Sequence, residues 1–290
     1  MDFAARLAAD PQSFENARYN EGFELSRADR ERAQLDALRM RFNNLKPRLT
    51  ALSKVAEEQG IAAIESIDDV VPLLFPHTVY KSYPLSFLEQ GRFDRLTKWL
   101  ASLTTSDLSK VDLAGVDTID GWIQALEKGS DLAPIHTFGT SGKLSIIPRT
   151  KEHLRVTVTI NARCIRDFNG ADSGPDLLTH HMPLIAPSYR YGGSSIARGM
   201  NLMAELYGGG EALFLYPDAY FSADVLSLAG RLRAAEARGE AGQLELPQSL
   251  IARRAEFAAR EAQRGQDMDQ FFKEASERFA GRDVFLFAVW

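Results

Sequence analysis

The chain has 290 residues, enough for one large domain or two small ones. Its 45% hydrophobic and 25% charged residues are those of an ordinary globular protein, and a formal net charge of -5 supplies no field that would gather nucleic acid. The single cysteine, Cys164, excludes an intramolecular disulfide framework and a thiolate metal cluster.

The first residues, MDFAARLAADPQSF, lack a basic start followed by an apolar run, so they do not read as a secretory signal. No stretch nears the ~18 apolar residues of a membrane span. The expected compartment is the cytoplasm. Leu35, Leu38, Phe42, Leu45, Leu49 and Leu52 recur at steps of three and four and predict one apolar stripe on a helix. Pro47 removes an amide donor and predicts a kink or break near Asn44. The stripe could serve a coiled-coil partner or pack on its own domain, and it is too short for a sustained zipper. From 61 to 130 the pattern is one of short helices and turns, with Ser66-Ile67-Asp68-Asp69 and Thr105-Ser106-Asp107 as capping segments. Residues 1–130 therefore predict a mainly helical layer.

The pattern changes near Pro134. Leu184 to Ala186 reads as a strand, followed by a helix with Ile196, Met200, Met203 and Tyr207 on one face. Ala212 to Tyr216 reads as a second strand. Ser222 can cap the next helix, whose buried face is Val225, Leu228, Ala229 and Leu232. Between 237 and 282 lies a charge-rich helical insertion with a stripe of Met268, Phe271, Phe272, Ala275 and Phe279, readable as a lid or as a solvated excursion. Val284 to Trp290 is a third apolar run. The alternation predicts an α/β fold: βαβ units of a mostly parallel sheet over residues 131–290, covered on both faces.

The segment that carries chemistry is Ile135-His136-Thr137-Phe138-Gly139-Thr140-Ser141-Gly142-Lys143-Leu144-Ser145-Ile146-Ile147. Glycine lets successive amides converge, and converging amides bind anions. Thr140 and Ser141 add hydroxyl donors and Lys143 a positive charge, a set suited to a polyphosphate. It is not a Walker A loop, because Thr137 and Leu144 stand where that motif needs glycine and Ser or Thr. Ser145-Ile146-Ile147-Pro148 favours a strand, so the loop should join two strands, with a helix starting near Thr150.

This loop resembles the Thr-Ser-Gly-Thr-Thr-Gly-x-Pro-Lys phosphate loop of the acyl-adenylate-forming (AMP-dependent synthetase/ligase) superfamily. Thr137, Gly139, Thr140, Ser141 and Gly142 fall on matching positions. Phe138 replaces a hydroxyl residue, and Leu144 and Ser145 stand at the family's Pro and Lys, with Lys143 two positions from that lysine. The order of elements downstream also follows the family. Leu73-Leu74-Phe75-Pro76-His77-Thr78 resembles the approach region of phenylacetate-coenzyme A ligases and of acyl-protein synthetases.

The resemblance implies an incomplete large N-terminal domain of an adenylate-forming enzyme. It implies ATP with magnesium held by Thr137, Gly139, Thr140, Ser141, Gly142 and Lys143. It also implies a carboxylic acid substrate, aryl or fatty acyl, and a thiol acceptor, either coenzyme A or a protein. In the family an aromatic turn lines the acyl pocket, which assigns that role here to Tyr189, Tyr191 and Gly192, unless the two aromatics simply pack a turn. The family's adenine motif, ribose-binding Asp, hinge and C-terminal catalytic Lys lie further on. An apolar strand at the last residues therefore predicts a partial enzyme that is inactive alone.

His180 and His181 are adjacent, so in a strand they point to opposite faces and do not suit a shared metal. His136 could face the nucleotide or be structural, and Cys164 reads as a small helix residue. Two other classes compete with the ligase: a non-catalytic nucleotide- or anion-binding module, and a helical interaction protein whose loop is only a hairpin tip.

Overall fold

A computed structural model of the chain describes residues 25–137, 143–168, 180–237, 239 and 248–287. Helix α1 (Arg27–Leu45) starts where the Ser26 hydroxyl accepts the Asp29 amide at 3.1 Å. It stops just before Pro47, and α2 (Thr50–Glu58) resumes after it. The leucine stripe turns inward: Leu35 and Leu52 pack against a buried cluster of Phe42, Ala56, Ile64 and Leu73. The stripe is a packing face within the chain.

A 3₁₀ helix (Ile67–Leu73) opens on the expected Ser66 cap, with the Ser66 amide donating to the Asp69 carboxylate at 2.7 Å. Helices α3 (Ser86–Glu89), α4 (Phe93–Ala101) and α5 (Ile119–Gly129) follow. The expectation that Thr105-Ser106-Asp107 caps a helix fails. The Asp107 carboxylate accepts the Ser109 amide at 2.9 Å, a local turn that competes with helix, and Thr118 caps α5 instead. Trp122 on α5 is fully buried against Leu96, Leu100 and Leu126.

That helical core supports a hairpin. Strands β1 (Ile135–His136) and β2 (Ile146–Ile147) pair antiparallel, Ile135 with Ile147. Leu144 and Ile146 are buried in the same cluster as Trp122. The loop thus joins two strands, as expected, and α6 (Lys151–Phe168) begins at Thr150, whose hydroxyl accepts the His153 amide at 3.0 Å. Phe138, Gly139, Thr140, Ser141 and Gly142 lie outside the described residues, as does the Cys164 side chain.

The sheet has the order β4–β3–β5, built from β3 (Leu184–Gly192), α7 (Ser195–Tyr207), β4 (Ala212–Phe221), α8 (Ala223–Ala237), α9 (Gln248–Arg278) and β5 (Phe285–Leu286). Both pairings are parallel, Leu184 with Ala212 and with Phe285. Side chains alternate across the strands. Leu184 and Ala186 pack with Phe214 against α6 and α7, while Ile185 and Leu213 pack against Phe271 and Ala275 of α9 and Phe279 just after it.

Four elements differ in extent from expectation. Strands β3 and β4 run on past Ala186 and Tyr216 despite Pro187 and Pro217. Pro217 is tolerated because β4 borders only β3 among the described strands, and Pro187 coincides with a register break after Ala186. Residues 248–278 form one helix that covers the second face of the sheet, so that stretch of the insertion is a layer of the fold. Val284 to Trp290 contributes Phe285 and Leu286 to the sheet, and residues 288–290 lie outside the described set. Among the described residues no helix is long and apolar enough to cross a membrane.

Candidate functional site

Strand β3 advances three residues, Ala186 to Tyr189, while β4 advances two, Phe214 to Tyr216. The extra residue at Pro187-Ser188 bends β3 away from the regular ladder, as a bulge does. Beside this bend, towards the carboxyl ends of the parallel strands, is a cavity of about 480 Å³. Its walls come from both sides of the sheet: Ile196, Ala197 and Met200 from α7, and Arg264, Met268 and Phe272 from α9. Tyr189, Tyr216 and Phe221 line it from the strands, their rings clustered 4.7 to 5.0 Å apart around Tyr189. Ligands of parallel sheets gather at this end of the strands, and a mostly apolar hollow of this size holds a small organic molecule.

The hairpin stem docks onto one wall of this cavity. The His136 amide donates to the Gly193 carbonyl at 3.0 Å, and His136 bridges to Ser194, which lines the cavity. Two glycines permit the approach. Gly192 has φ +150°, and a Cβ there would lie 2.8 Å from Phe221. A Cβ on Gly193 would lie 2.7 Å from the His136 ring. Tyr191-Gly192-Gly193 is therefore the crossing point of three chain segments.

The residues singled out in the sequence divide accordingly. Tyr189 lines the cavity and is 5% exposed. Tyr191 does not line it: the residue is 43% exposed, with the Arg190 guanidinium over its ring. Gly192 packs on Phe221 and forms no part of the wall. Thr137 is exposed at the stem, where its hydroxyl accepts the Ser145 amide at 3.0 Å. Lys143 turns away toward the helical layer. Its ammonium donates to the Tyr83 carbonyl and sits 4.3 Å from the centre of the Tyr83 ring. Burial lowers its pKa, as does Lys81 nearby. The Tyr83 hydroxyl donates to the Leu144 carbonyl at 2.8 Å, so Tyr83 holds the outgoing side of the loop from two points.

His136 is buried, with Nδ1–H donating to the Thr137 carbonyl and Nε2 without a partner. Burial depresses its pKa, and the Arg198 guanidinium adds to that, so the ring is neutral at pH 7. Arg198 itself ties α7 to Glu127 of α5. His180 faces Asp283 at 3.8 Å while His181 packs over Gly209, so the histidine pair does not converge. Among the described residues no three His, Cys, Asp or Glu side chains meet in a way that could hold a metal ion.

Sequence reasoning missed a buried carboxylate pair that locks the helices behind the site. Asp224 accepts the Ile119 and Asp120 amides at 2.8 and 3.0 Å, capping α5. Asp120 accepts the Ala223 amide at 2.8 Å and the Ser222 hydroxyl at 2.5 Å, capping α8. Arg253 of α9 stands 3.8 Å from both carboxylates. Burial first, and then the Asp120 charge, raises the pKa of Asp224 from 3.8 to about 6.

Between those two values the folded protein keeps a proton that the unfolded chain has released. Stability from this group therefore rises as pH falls from 7 toward 4, by up to about 3 kcal/mol. Thermal unfolding at pH 7 and pH 5 should show that rise in the native protein relative to Asp224→Asn. A difference between the two proteins that does not change with pH would contradict it.

No family model, curated protein or solved structure matches this chain.

Proposed function

We propose that the chain takes part in activating an apolar carboxylic acid, aryl or fatty acyl, with ATP, giving an acyl-adenylate for transfer to a thiol of coenzyme A or of a protein. In that reaction a carboxylate oxygen bonds to the α-phosphorus of ATP, and the bond to pyrophosphate breaks. The thiolate later displaces AMP from the acyl carbon. Magnesium arriving with ATP would share the phosphate charge.

One observation carries the reading. The stem of the Gly- and hydroxyl-rich loop is hydrogen-bonded to the Gly193-Ser194 turn, and Ser194 is a wall of the apolar cavity. An acid in the cavity and a phosphate chain on the loop would meet at that border. The chemistry asks for little else from the protein but position and charge neutralisation. The cavity buries the apolar body of the acid, and the neutral His136 ring adds no charge to the border.

The loop's contribution is tested with Thr140→Ala and Ser141→Ala together, followed by titration with magnesium ATP. Affinity should fall tenfold or more. Unchanged affinity would leave the loop as a hairpin tip and remove the ligase reading. Lys143 is the wrong residue for this test, because replacing it also strips the Tyr83 carbonyl of its donor.

A further inference from the structure

Helix α9 is continuous over 31 residues, but its two halves are held very differently. In the C-terminal half Met268, Phe271 and Ala275 pack on Ile185 and Leu213 of the sheet. Met268 and Phe272 also line the cavity, and the Asp267 carboxylate accepts the Tyr216 hydroxyl at 3.2 Å. From 251 to 264, by contrast, every residue except Phe257 and Arg260 is exposed. This arm has few ties to the body. Phe257 lies against Tyr189 and Phe221 of the cavity wall, with ring centres 6.5 and 6.2 Å away. Arg260 stands by the Tyr189 hydroxyl. Arg253 is half-exposed, 3.8 Å from Asp120 and Asp224, and both carboxylates would keep their amide donors without it.

Gly265 stands between the halves. Glycine is less favourable than alanine inside a helix, because it has more backbone freedom to lose. A Cβ at Gly265 would meet nothing within 4 Å, so packing does not call for glycine there. What glycine adds at that place is ease of bending. It falls where the packed half ends and the exposed arm begins.

We propose that α9 bends at Gly265 and that its arm, residues 248–264, is a lid on the cavity. With the arm down, Phe257 backs the Tyr189 and Phe221 rings and Arg264 completes the wall. With the arm raised, that side of the cavity is open to an apolar ligand. The straight helix is the closed state. Hinges of this kind set the rates at which ligands enter and leave. The device requires neither ATP nor a particular acid, so it does not rest on the reaction proposed above.

The test is stopped-flow mixing of the chain, without ATP, with N-phenyl-1-naphthylamine, an uncharged probe that fluoresces in apolar surroundings. In Gly265→Ala the association and dissociation rates should each fall about fivefold, the preference of a helix for alanine over glycine, with the dissociation constant unchanged. Phe257→Ala loosens the arm and should speed both rates. Gly199→Ala is the control. A Cβ at Gly199 also meets nothing within 4 Å, but α7 is anchored on both sides of it by the buried Ala197 and Met200. This change should raise the melting temperature as Gly265→Ala does and leave both rates alone. Ala197→Leu fills part of the cavity and should weaken the probe about tenfold, which places the probe there. Unchanged rates in Gly265→Ala, equal slowing in Gly199→Ala, or altered affinity in Gly265→Ala would overturn the proposal. So would probe binding that survives Ala197→Leu, or no binding. All are read without ATP, so the ligase reading stands or falls separately, on ATP affinity.

Discussion

Trp122→Ala should destabilise the protein by about 3–5 kcal/mol and lower the melting temperature by roughly 10 °C. Trp122 is fully buried, stacks on Phe93 at 6.4 Å, and donates its indole N–H to the Thr97 hydroxyl at 2.9 Å. Removing it leaves a cavity among Leu96, Leu100 and Leu126 and takes away the Thr97 donor. The same cluster contains Leu144 and Ile146, so the hairpin should loosen with it. Hydrogen exchange at the Ile135 and Ile147 amides should accelerate more than exchange in β3. Trp122→Phe should recover most of the stability. A melting temperature within about 2 °C of the native value would show that this cluster does not carry the hairpin.

Gly193→Val should cost about 1–3 kcal/mol or more and should abolish ligand binding at the loop-cavity border. The new Cβ would lie 2.7 Å from the His136 ring and 3.3 Å from Ile123. Neither neighbour has room to yield, since both are buried. The hydrogen bond from the His136 amide to the Gly193 carbonyl would break, and the hairpin would leave the turn. His136→Ala in the same chain removes the clash and should restore part of the stability, so the two changes should be strongly non-additive. Additive effects in thermal unfolding would mean that the two segments do not lean on one another.

Much of this architecture was legible because its signals are local. Pro47 splits α1 from α2, Thr150 caps α6, and the Ser222 hydroxyl accepts the Val225 amide at the start of α8. The three apolar runs became parallel strands because runs with no polar alternation need cover on both faces.

Other features were hidden for a physical reason: they depend on partners far away in the chain. Asp120 and Asp224 are first-turn acids of their own helices, yet each caps the other's helix, 104 positions away. Lys143 reads as a loop cation, and only the fold shows Tyr83 beneath it. The family resemblance assigns Tyr191 and Gly192 to the pocket, with a packed turn as the alternative. The close approach of Phe221 makes it a crossing.

The proposed reaction needs the hairpin loop and the apolar cavity to form two halves of one site. Titration of the 290-residue chain with magnesium ATP, alone and then with saturating decanoate, is the decisive measurement. Where two adjacent ligands touch, any change one makes in the other's affinity is returned by the same factor. The account predicts that the acid shifts the ATP dissociation constant about fivefold or more, that ATP shifts the acid's by the same factor, and that Gly193→Val removes both shifts. ATP that binds with one affinity whether or not the acid is present, or that does not bind at all, would contradict it.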